Sequence, residues 1–353
     1  FSSRRRHTRW RLVSRGLGDV YKRQDLHGGI RVPLELASWL ADGGWISRVV
    51  GAGARPDWHE STAPWLTVDL EQAGAVPRAD ITIATFHTTV EPAIASGSPH
   101  VFHLCQGYEG LFSEYADIKD AIDSAYRKPI PKLVVSRHLE GMLAERYPEI
   151  RCHFIGEAVD PRIFLPLGLR ENATPLRVGL VGTFSARVKG IREGLKGLAL
   201  LRDRGFELEV YRASVEPMQG EEAHIGVTDH FHHLLPTVRM PEFYSEIDVL
   251  VFPSSEQEGF GLPVLEAMSC GVPVAHSAIP SLEVIPEGAT LRFSPGSPPE
   301  IADTVGRLFD PTLRRSLRTA ALLAVEDYRP QVVLGRLQDI LAREGCPLPE
   351  AVG

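Results

Sequence analysis

The chain has 353 residues, of which 43% are hydrophobic and 24% are charged, and its formal net charge is −7. These values are typical of a soluble globular protein with room for two domains, and no apolar run approaches the roughly 18–20 residues of a membrane helix. The four cysteines have no metal-ligand spacing, so we expect reduced thiols in a cytosolic protein.

The first 24 residues differ from the rest of the chain. They hold seven Arg, one Lys and one Asp, a net charge of +7, and they lack a signal-peptide core. They resemble translated sequencing-adapter read-through at the ends of metagenomic gene fragments, so we expect residues 1–24 to be a non-native leader; a genuine basic arm is the alternative. The remaining charge of −14 disfavours a nucleic-acid partner and broad attachment to anionic lipid.

Residues 25–170 are predicted to form the first domain. Gly28 and Gly29 precede a helical pattern, where glycines let backbone N–H groups approach a ligand, although a plain helix-entry turn is the better explanation of the pair taken alone. The strand that should precede Gly28 would fall in the adapter-like sequence. We therefore expect the sheet of this domain to lack its first strand.

Apolar strand-like segments then alternate with helices or loops, which indicates a doubly wound α/β domain. These segments are residues 46–50, 65–69, 81–85, 100–104 and 133–136. Gln106 and Glu109 directly follow one of them, at a carboxyl end where ligands bind in parallel sheets. A polar turn that caps a helix is the alternative for this pair. Proline and glycine accumulate near 165–175, so the second domain is placed at 171–328.

Residues 247–276 organise the second domain. An apolar run, Val249–Phe252, predicts a buried parallel strand, and an acidic glycine-rich loop follows it. Pro263 suits the start of a short helix, whose unpaired N–H groups favour a phosphate. Glu266, predicted in the first turn, can accept two hydroxyls of a ribose, and Glu258 can accept hydroxyls of a sugar beyond the phosphates. A solvated pair of glutamates in an ordinary βαβ unit is the alternative.

The stretch from Glu258 to Val274 resembles the E-x7-E signature of family 4 glycosyltransferases. That resemblance implies an α/β protein of the GT-B fold, with two Rossmann-like doubly wound domains facing across a cleft. It also implies that residues 329–344 form a helix that crosses back to the first domain. The donor-binding residues would be Glu266, Gly259, Phe260, Gly261, Leu262, Pro263, Gly182 and Thr183.

Two further loops carry the resemblance. The loop after the strand at 177–181 resembles the one in which the family binds the donor diphosphate through an Arg and a Lys: Lys189 fits, but Thr183 stands where the Arg is expected. Arg187 could replace it, or could be a solvated loop charge. The turn from Gln106 to Glu109 resembles the "QDYE" turn of a rhamnosyltransferase-like branch, with Gly in place of Asp. Gly28, Gly29, Gln106 and Glu109 would then line the acceptor side or the first-domain part of the cleft.

The resemblance implies a retaining glycosyltransferase that moves a sugar from a nucleotide diphosphate sugar to a glycan or lipid-linked acceptor. Glu258, Lys189 and Arg187 would be the catalytic residues. No metal or other cofactor is expected, because there is no Asp-x-Asp motif and basic groups replace a cation. We expect a cytoplasmic protein of cell-envelope polysaccharide synthesis, with peripheral contact at the inner face of the membrane left open.

Three alternatives are compatible with the sequence. A sugar-nucleotide epimerase would share the GT-B fold, although it should lack this E-x7-E context. A non-catalytic GT-B subunit that binds a sugar nucleotide or a partner is favoured by Thr183 and Gly107. An NAD-dependent Rossmann enzyme would need a G-x-G-x-x-G motif, which residues 25–353 lack.

Overall fold

The structure is a computed structural model that describes residues 10–13, 28–59, 61–168, 170 and 174–349. The chain divides into two compact units. Unit 1 comprises the described residues up to Gly156 together with those from Pro330 onward, and unit 2 is Glu157–Arg329. The division falls earlier than the predicted boundary at 170, because the segment after Gly156 packs in unit 2. There Val159 N donates to Tyr328 O at 2.9 Å.

The strands and helices alternate along both units. The strands are β1 Trp10–Val13, β2 Val49–Gly51, β3 Trp65–Thr67, β4 Ile81–Ala84, β5 His100–Cys105, β6 Lys132–Val134, β7 Cys152–Phe154, β8 Leu176–Val181, β9 Leu208–Ser214, β10 His230–His233, β11 Val249–Phe252, β12 Val274–Ser277 and β13 Leu291–Phe293. The helices are α1 Gly28–Asp42, α2 His87–Ala95, α3 Lys119–Tyr126, α4 Arg137–Arg146, α5 Ile191–Asp203, α6 Gly220–Ile225, α7 Met240–Glu246, α8 Leu262–Cys270, α9 Pro298–Arg307, α10 Pro311–Ala324 and α11 Pro330–Arg343.

Unit 1 is built on a parallel sheet with the strand order β3-β2-β1-β4-β5-β6-β7. The prediction that its first strand is missing is wrong: β1 lies at the centre of the sheet, where Leu12 pairs with Val49 on one side and Ile83 on the other. β2 and β4 would each expose a row of unpaired backbone groups without it, and a parallel strand satisfies them. The rest of the predicted leader, residues 1–9 and 14–24, lies outside the described residues.

Unit 2 is built on a second parallel sheet with the order β10-β9-β8-β11-β12-β13. Its core joins side chains of the central strands to α5, α9 and α10. β11 is buried at all four positions, as its continuous apolar run predicts. α8 begins after Gly261 and ends at Gly271, two glycines with positive φ of 107° and 71°.

None of the described helices has both the length and the apolar character needed to cross a bilayer.

Candidate functional site

The candidate site lies at the carboxyl ends of β8 and β11. The two strands are parallel neighbours, with Val178 opposite Val249, so the loops that follow them lie side by side. Ser255 N in the second loop donates to Val188 O in the first at 2.8 Å. Open parallel sheets bind their ligands at this edge.

Lys189 and Glu258 form an ion pair within this loop pair. Lys189 Nζ lies 2.8 Å from Glu258 Oε2, and the side chains are 31% and 12% exposed. Ser254 Oγ donates to the same carboxylate oxygen at 3.1 Å. Two residues that the sequence nominated separately as catalytic are thus in direct contact.

Two glycines allow the first loop to approach the second. Gly190 has a φ of 59°, and a Cβ at this position would lie 2.0 Å from Pro253 O, at the end of β11. Gly182 has a φ of 140°, and a Cβ there would lie 3.3 Å from Lys189 Cβ. A side chain at either position would push Lys189 away from Glu258, so the glycines position the ion pair.

Glu266 is buried on α8, with 2% of its surface exposed. Tyr244, on α7, donates its hydroxyl to Glu266 Oε2 at 2.7 Å. Since the helix begins at Leu262, Glu266 is its fifth residue and lies beyond the first turn, which corrects the predicted position. The tyrosine holds the orientation of this carboxylate.

The loop between the two glutamates is supported from within unit 2. Phe260 is buried and its ring centroid lies 5.7 Å from that of Tyr328. A Cβ on Gly261 would lie 2.8 Å from the ring of Phe252. Gly259, Leu262 and Pro263, the other predicted donor contacts, are half-buried. The aromatic packing fixes the backbone that leads into α8.

Arg187 is exposed and lies next to the ion pair in sequence, two residues before Lys189. It lines an open cavity of about 460 Å³ together with Val188, the segment Ser255–Gln257, Pro295 and Gly296. No ion pair of Arg187 occurs among the described residues. Thr183, where the resemblance expects an Arg, is half-buried and its hydroxyl brings no positive charge to the site.

Sequence reasoning missed Arg212, a fully buried residue of β9. Its Nε donates to Glu222 Oε1 at 2.7 Å, and its two Nη atoms donate to Leu180 O and Gly182 O, each at 2.9 Å. Burial lowers the pKa of Arg212, against the opposing effect of Glu222. Arg212 therefore fixes the position of the end of β8 that leads into the Lys189 loop. The available signal was that Arg212 lies among Val210, Tyr211 and Ala213.

In unit 1 the structure brings together Gln106 and Gly29. Gln106 Nε2 donates to Gly29 O at 3.1 Å, which joins the end of β5 to the first turn of α1 that begins at Gly28. Glu109 is tied to a buried tyrosine of α3, since Tyr126 OH lies 2.6 Å from Glu109 Oε2. Burial raises the pKa of Glu109 to about 7.

The same turn is anchored by a second tyrosine that the sequence did not single out. Tyr108 donates its hydroxyl to Asp123, which also accepts from Tyr147 OH at 3.0 Å and Lys119 Nζ at 2.8 Å. Burial alone would raise the pKa of Asp123, but these hydrogen bonds hold it well below its usual range. A Cβ on Gly110 would lie 2.5 Å from the Tyr108 ring, so this turn also needs a glycine.

The three neighbouring histidines of β10 are dispersed. His230 stacks on Tyr211 with ring centroids 4.2 Å apart, and His232 lies 2.8 Å from Glu246. Within the described ranges, no group of three or more His, Cys, Asp or Glu side chains is arranged to hold a metal ion.

Comparison with known proteins gives a family match for part of the chain. Residues 175–310, which lie within unit 2, match the family "Glycosyl transferases group 1". The MMP alpha-(1->4)-mannosyltransferase of Mycolicibacterium hassiacum is 31% identical over 194 residues, 52% of this chain and 46% of the relative. A D-inositol 3-phosphate glycosyltransferase of Acidothermus cellulolyticus is 34% identical over 139 residues, 36% of this chain and 31% of the relative. The chain thus spans about half or less of these curated relatives.

Solved structures match nearly the whole chain. Sucrose-phosphate synthase from Thermosynechococcus elongatus has a TM-score of 0.76 and 18% identity, over 96% of this chain and 99% of that one. Anabaena HepE, solved in complex with UDP-glucose, has a TM-score of 0.75 and 13% identity, over 96% of this chain and 100% of that one. These similarities confirm the predicted GT-B fold of two α/β units.

Proposed function

We propose that this chain transfers a sugar from a nucleotide diphosphate sugar to a glycan or lipid-linked acceptor, with retention at the anomeric carbon and without a metal ion. The observation that carries the proposal is the contact between Lys189 and Glu258 at the ends of β8 and β11, with Glu266 on the helix that follows. All three residues lie within the segment that matches group 1 glycosyl transferases, and HepE, which shares the fold, was solved with UDP-glucose.

In this proposal Lys189 exchanges partners when the donor binds. Its ammonium group leaves Glu258 for the diphosphate, where a positioned cation stabilises the charge that develops on the leaving group. The freed carboxylate of Glu258 then accepts hydroxyls of the donor sugar. The N–H groups at the start of α8, between Gly261 and Val264, add partial positive charge at the phosphates.

The remaining roles follow from position. Glu266, oriented by Tyr244, accepts the ribose hydroxyls. Arg187 supplies the second cation that Thr183 does not provide, and its exposed guanidinium has no competing ion pair among the described side chains. The backbone of Gly259–Pro263 and that of Gly182 and Thr183 contact the donor.

On the acceptor side, we assign the contacts to unit 1. Gly28 and Gly29 present backbone at the start of α1, and Gln106 with Glu109 forms the adjoining turn. The acceptor hydroxyl attacks the anomeric carbon on the face that the phosphate leaves, so that configuration is retained. The bond to the phosphate oxygen breaks, the bond to the acceptor oxygen forms, and the acceptor proton moves to the leaving phosphate. No side chain has to act as a general base.

A transfer assay tests this proposal. Purified protein would be incubated with UDP-, GDP-, ADP- and dTDP-sugars, dTDP-rhamnose included, and with octyl glycosides as lipid-like acceptors, in EDTA. Proton NMR of the anomeric signal would report both transfer and stereochemistry. We expect a retained product and at least a roughly hundredfold loss of rate in Glu258→Gln and Lys189→Ala, but not in Lys196→Ala, an exposed lysine of α5.

The outcomes separate the alternatives. An inverted product or a requirement for a divalent cation would contradict the mechanism. Donor binding that never leads to transfer or hydrolysis would favour the non-catalytic subunit, for which Thr183 is the supporting observation. We place the enzyme in the cytoplasm, with peripheral membrane contact where the acceptor is lipid-linked.

A further inference from the structure

The turn from Gln106 to Glu109 depends on one shared hydroxyl group. Tyr126 OH lies 2.9 Å from Gly107 O and 2.6 Å from Glu109 Oε2. A tyrosine hydroxyl carries a single proton, and a carbonyl or an ionised carboxylate can only accept. With Glu109 ionised, one of the two acceptors is therefore left without the Tyr126 hydrogen bond, although the carboxylate still accepts from its own backbone N–H. With Glu109 protonated, the carboxyl donates to Tyr126 and Tyr126 donates to Gly107, so both contacts are hydrogen bonds.

Burial also favours the neutral form of Glu109. Tyr126 contacts it from α3, and Cys105 of β5 interacts with it electrostatically. Two further buried groups pack on the Tyr126 ring: Lys132 Nζ lies 5.9 Å from its centroid, and the His103 ring lies 4.8 Å from it. Burial raises the pKa of Cys105 and of Tyr126 and lowers that of Lys132 and of His103. No cation is paired with Glu109 in the part of the chain that the structure describes. Burial raises its pKa to about 7, against hydrogen bonds from Tyr126 and from its own backbone N–H, which lower it.

The other anchor of the turn does not titrate in this range. Asp123, which accepts from Tyr108 and Lys119, has a pKa well below its usual value. Loss of a proton near neutral pH would therefore leave Tyr108 in place. The change would be confined to Gly107 and to its neighbour Gln106, the residue that donates to Gly29 O.

We propose that Glu109, in its protonated form, is a positioning residue that acts through Tyr126 and Gly107 to hold Gln106 on Gly29. Deprotonation turns the Tyr126 hydroxyl toward the Glu109 carboxylate, releases the Gly107 carbonyl and loosens the Gln106 side chain. The inference rests on the proposed function only in treating Gln106 as an acceptor contact. It predicts acceptor binding that weakens as the pH rises through neutrality.

Hydrogen exchange of the Gln106 side-chain amide tests the inference without any substrate. Protein labelled with 15N-glutamine would be followed by NMR from pH 6 to 8.5, with the resonance assigned by its loss in Gln106→Glu. Dividing the wild-type exchange rate by that of Glu109→Gln removes the intrinsic effect of pH. We expect a ratio near one at pH 6 that rises about tenfold by pH 8.5, since exchange follows the open fraction.

Two results would overturn the proposal: a ratio that stays flat across the range, or a 13C carboxyl titration of Glu109 with a midpoint below pH 5. The carboxyl titration uses only the wild-type protein, so it decides the matter even if Glu109→Gln does not fold. In Tyr126→Phe, which removes the shared hydroxyl, Gln106 should exchange rapidly at every pH. Because no donor or turnover is involved, failure of the transfer assay would leave this test intact.

Discussion

Lys189 Nζ and Glu258 Oε2 lie 2.8 Å apart, although the two residues are separated by 69 positions in the sequence. The parallel pairing of β8 with β11 and the close approach of Gly190 to Pro253 produce this contact. Each charge keeps the other in place at the sheet edge. A diphosphate can take over the lysine, and the glutamate is then available to a sugar.

Tyr244→Phe should weaken donor binding without removing Glu266. The hydroxyl donates to a buried carboxylate, and such a bond contributes about 1–2 kcal/mol, so calorimetry should show a rise in Kd of about 5–30-fold. Tyr211→Phe is the matched control, because that hydroxyl donates to Glu209 at 3.2 Å instead. Equal effects of the two variants would argue against Glu266 as a ribose ligand.

Gly190→Ala should destabilise unit 2 by more than about 3 kcal/mol. The alanine Cβ would meet Pro253 O at 2.0 Å in addition to adopting a positive φ. Gly205→Ala isolates the backbone cost of about 1–2 kcal/mol, since Gly205 has a φ of 88° and no atom within 4 Å of the added carbon. Hydrogen exchange of unit 2 peptides in urea would compare the stabilities of the two variants. Similar losses of stability would mean that the Gly190 loop moves away from β11 without an energetic penalty.

Arg212→Met should lower the free energy of unfolding of unit 2 by about 3–5 kcal/mol, because it leaves the buried Glu222 carboxylate without its partner. The double variant Arg212→Met with Glu222→Leu removes both charges and should recover much of that loss. The same exchange experiment on unit 2 measures both proteins. If the stability lost in the double variant equalled the sum of the losses of the single variants, Arg212 and Glu222 would not be energetically coupled.

Glu109 should make the stability of unit 1 depend on pH. Its pKa is raised from 4.5 to about 7 in the folded protein, so the proton stabilises the fold fully below pH 4.5, and this stabilisation is lost as the pH rises through 7. Relative to Glu109→Gln, the free energy of unfolding of the wild type should fall by about 1–3 kcal/mol between pH 5 and 8. All five tryptophans lie at or before Trp65, so their fluorescence during urea unfolding reports on unit 1.

The control for this profile is Glu145→Gln, which changes an exposed carboxyl of α4. That variant should keep the pH dependence of the wild type. A wild-type profile parallel to that of Glu109→Gln would show that Glu109 is ionised throughout this range.

The sequence alone predicted the elements that have strong local signals. The apolar run of β11, Pro263 and the glycines that flank α8 predicted that strand, loop and helix within a residue or two. The GT-B fold followed from the resemblance of the glutamate motif. Glu258 and Lys189 were likewise nominated from sequence, but their contact was not, because it depends on which strands are neighbours.

Other features could not be predicted because they depend on the packing of distant segments. Arg212 binds the carbonyl groups of Leu180 and Gly182, more than 25 positions away, and a charged residue in a strand is usually taken for an exposed one. The raised pKa of Glu109 arises from its burial. The composition of the first 24 residues indicated a non-native leader, so no strand was predicted there. Strand pairing is not visible in composition, and Trp10–Val13 pairs with β4 in the sheet.

Calorimetric titration with the panel of UDP-, GDP-, ADP- and dTDP-sugars, using the wild type, Lys189→Ala and Lys196→Ala, tests directly whether Lys189 and Glu258 form a nucleotide-sugar site. We expect one class of donor to bind. Lys189→Ala should weaken its binding by about ten- to a hundredfold through loss of a charge-assisted contact with the diphosphate, and Lys196→Ala should bind it like the wild type. Absence of binding to every donor and free nucleotide, or equal losses in the two lysine variants, would contradict a nucleotide-sugar site at Lys189 and Glu258.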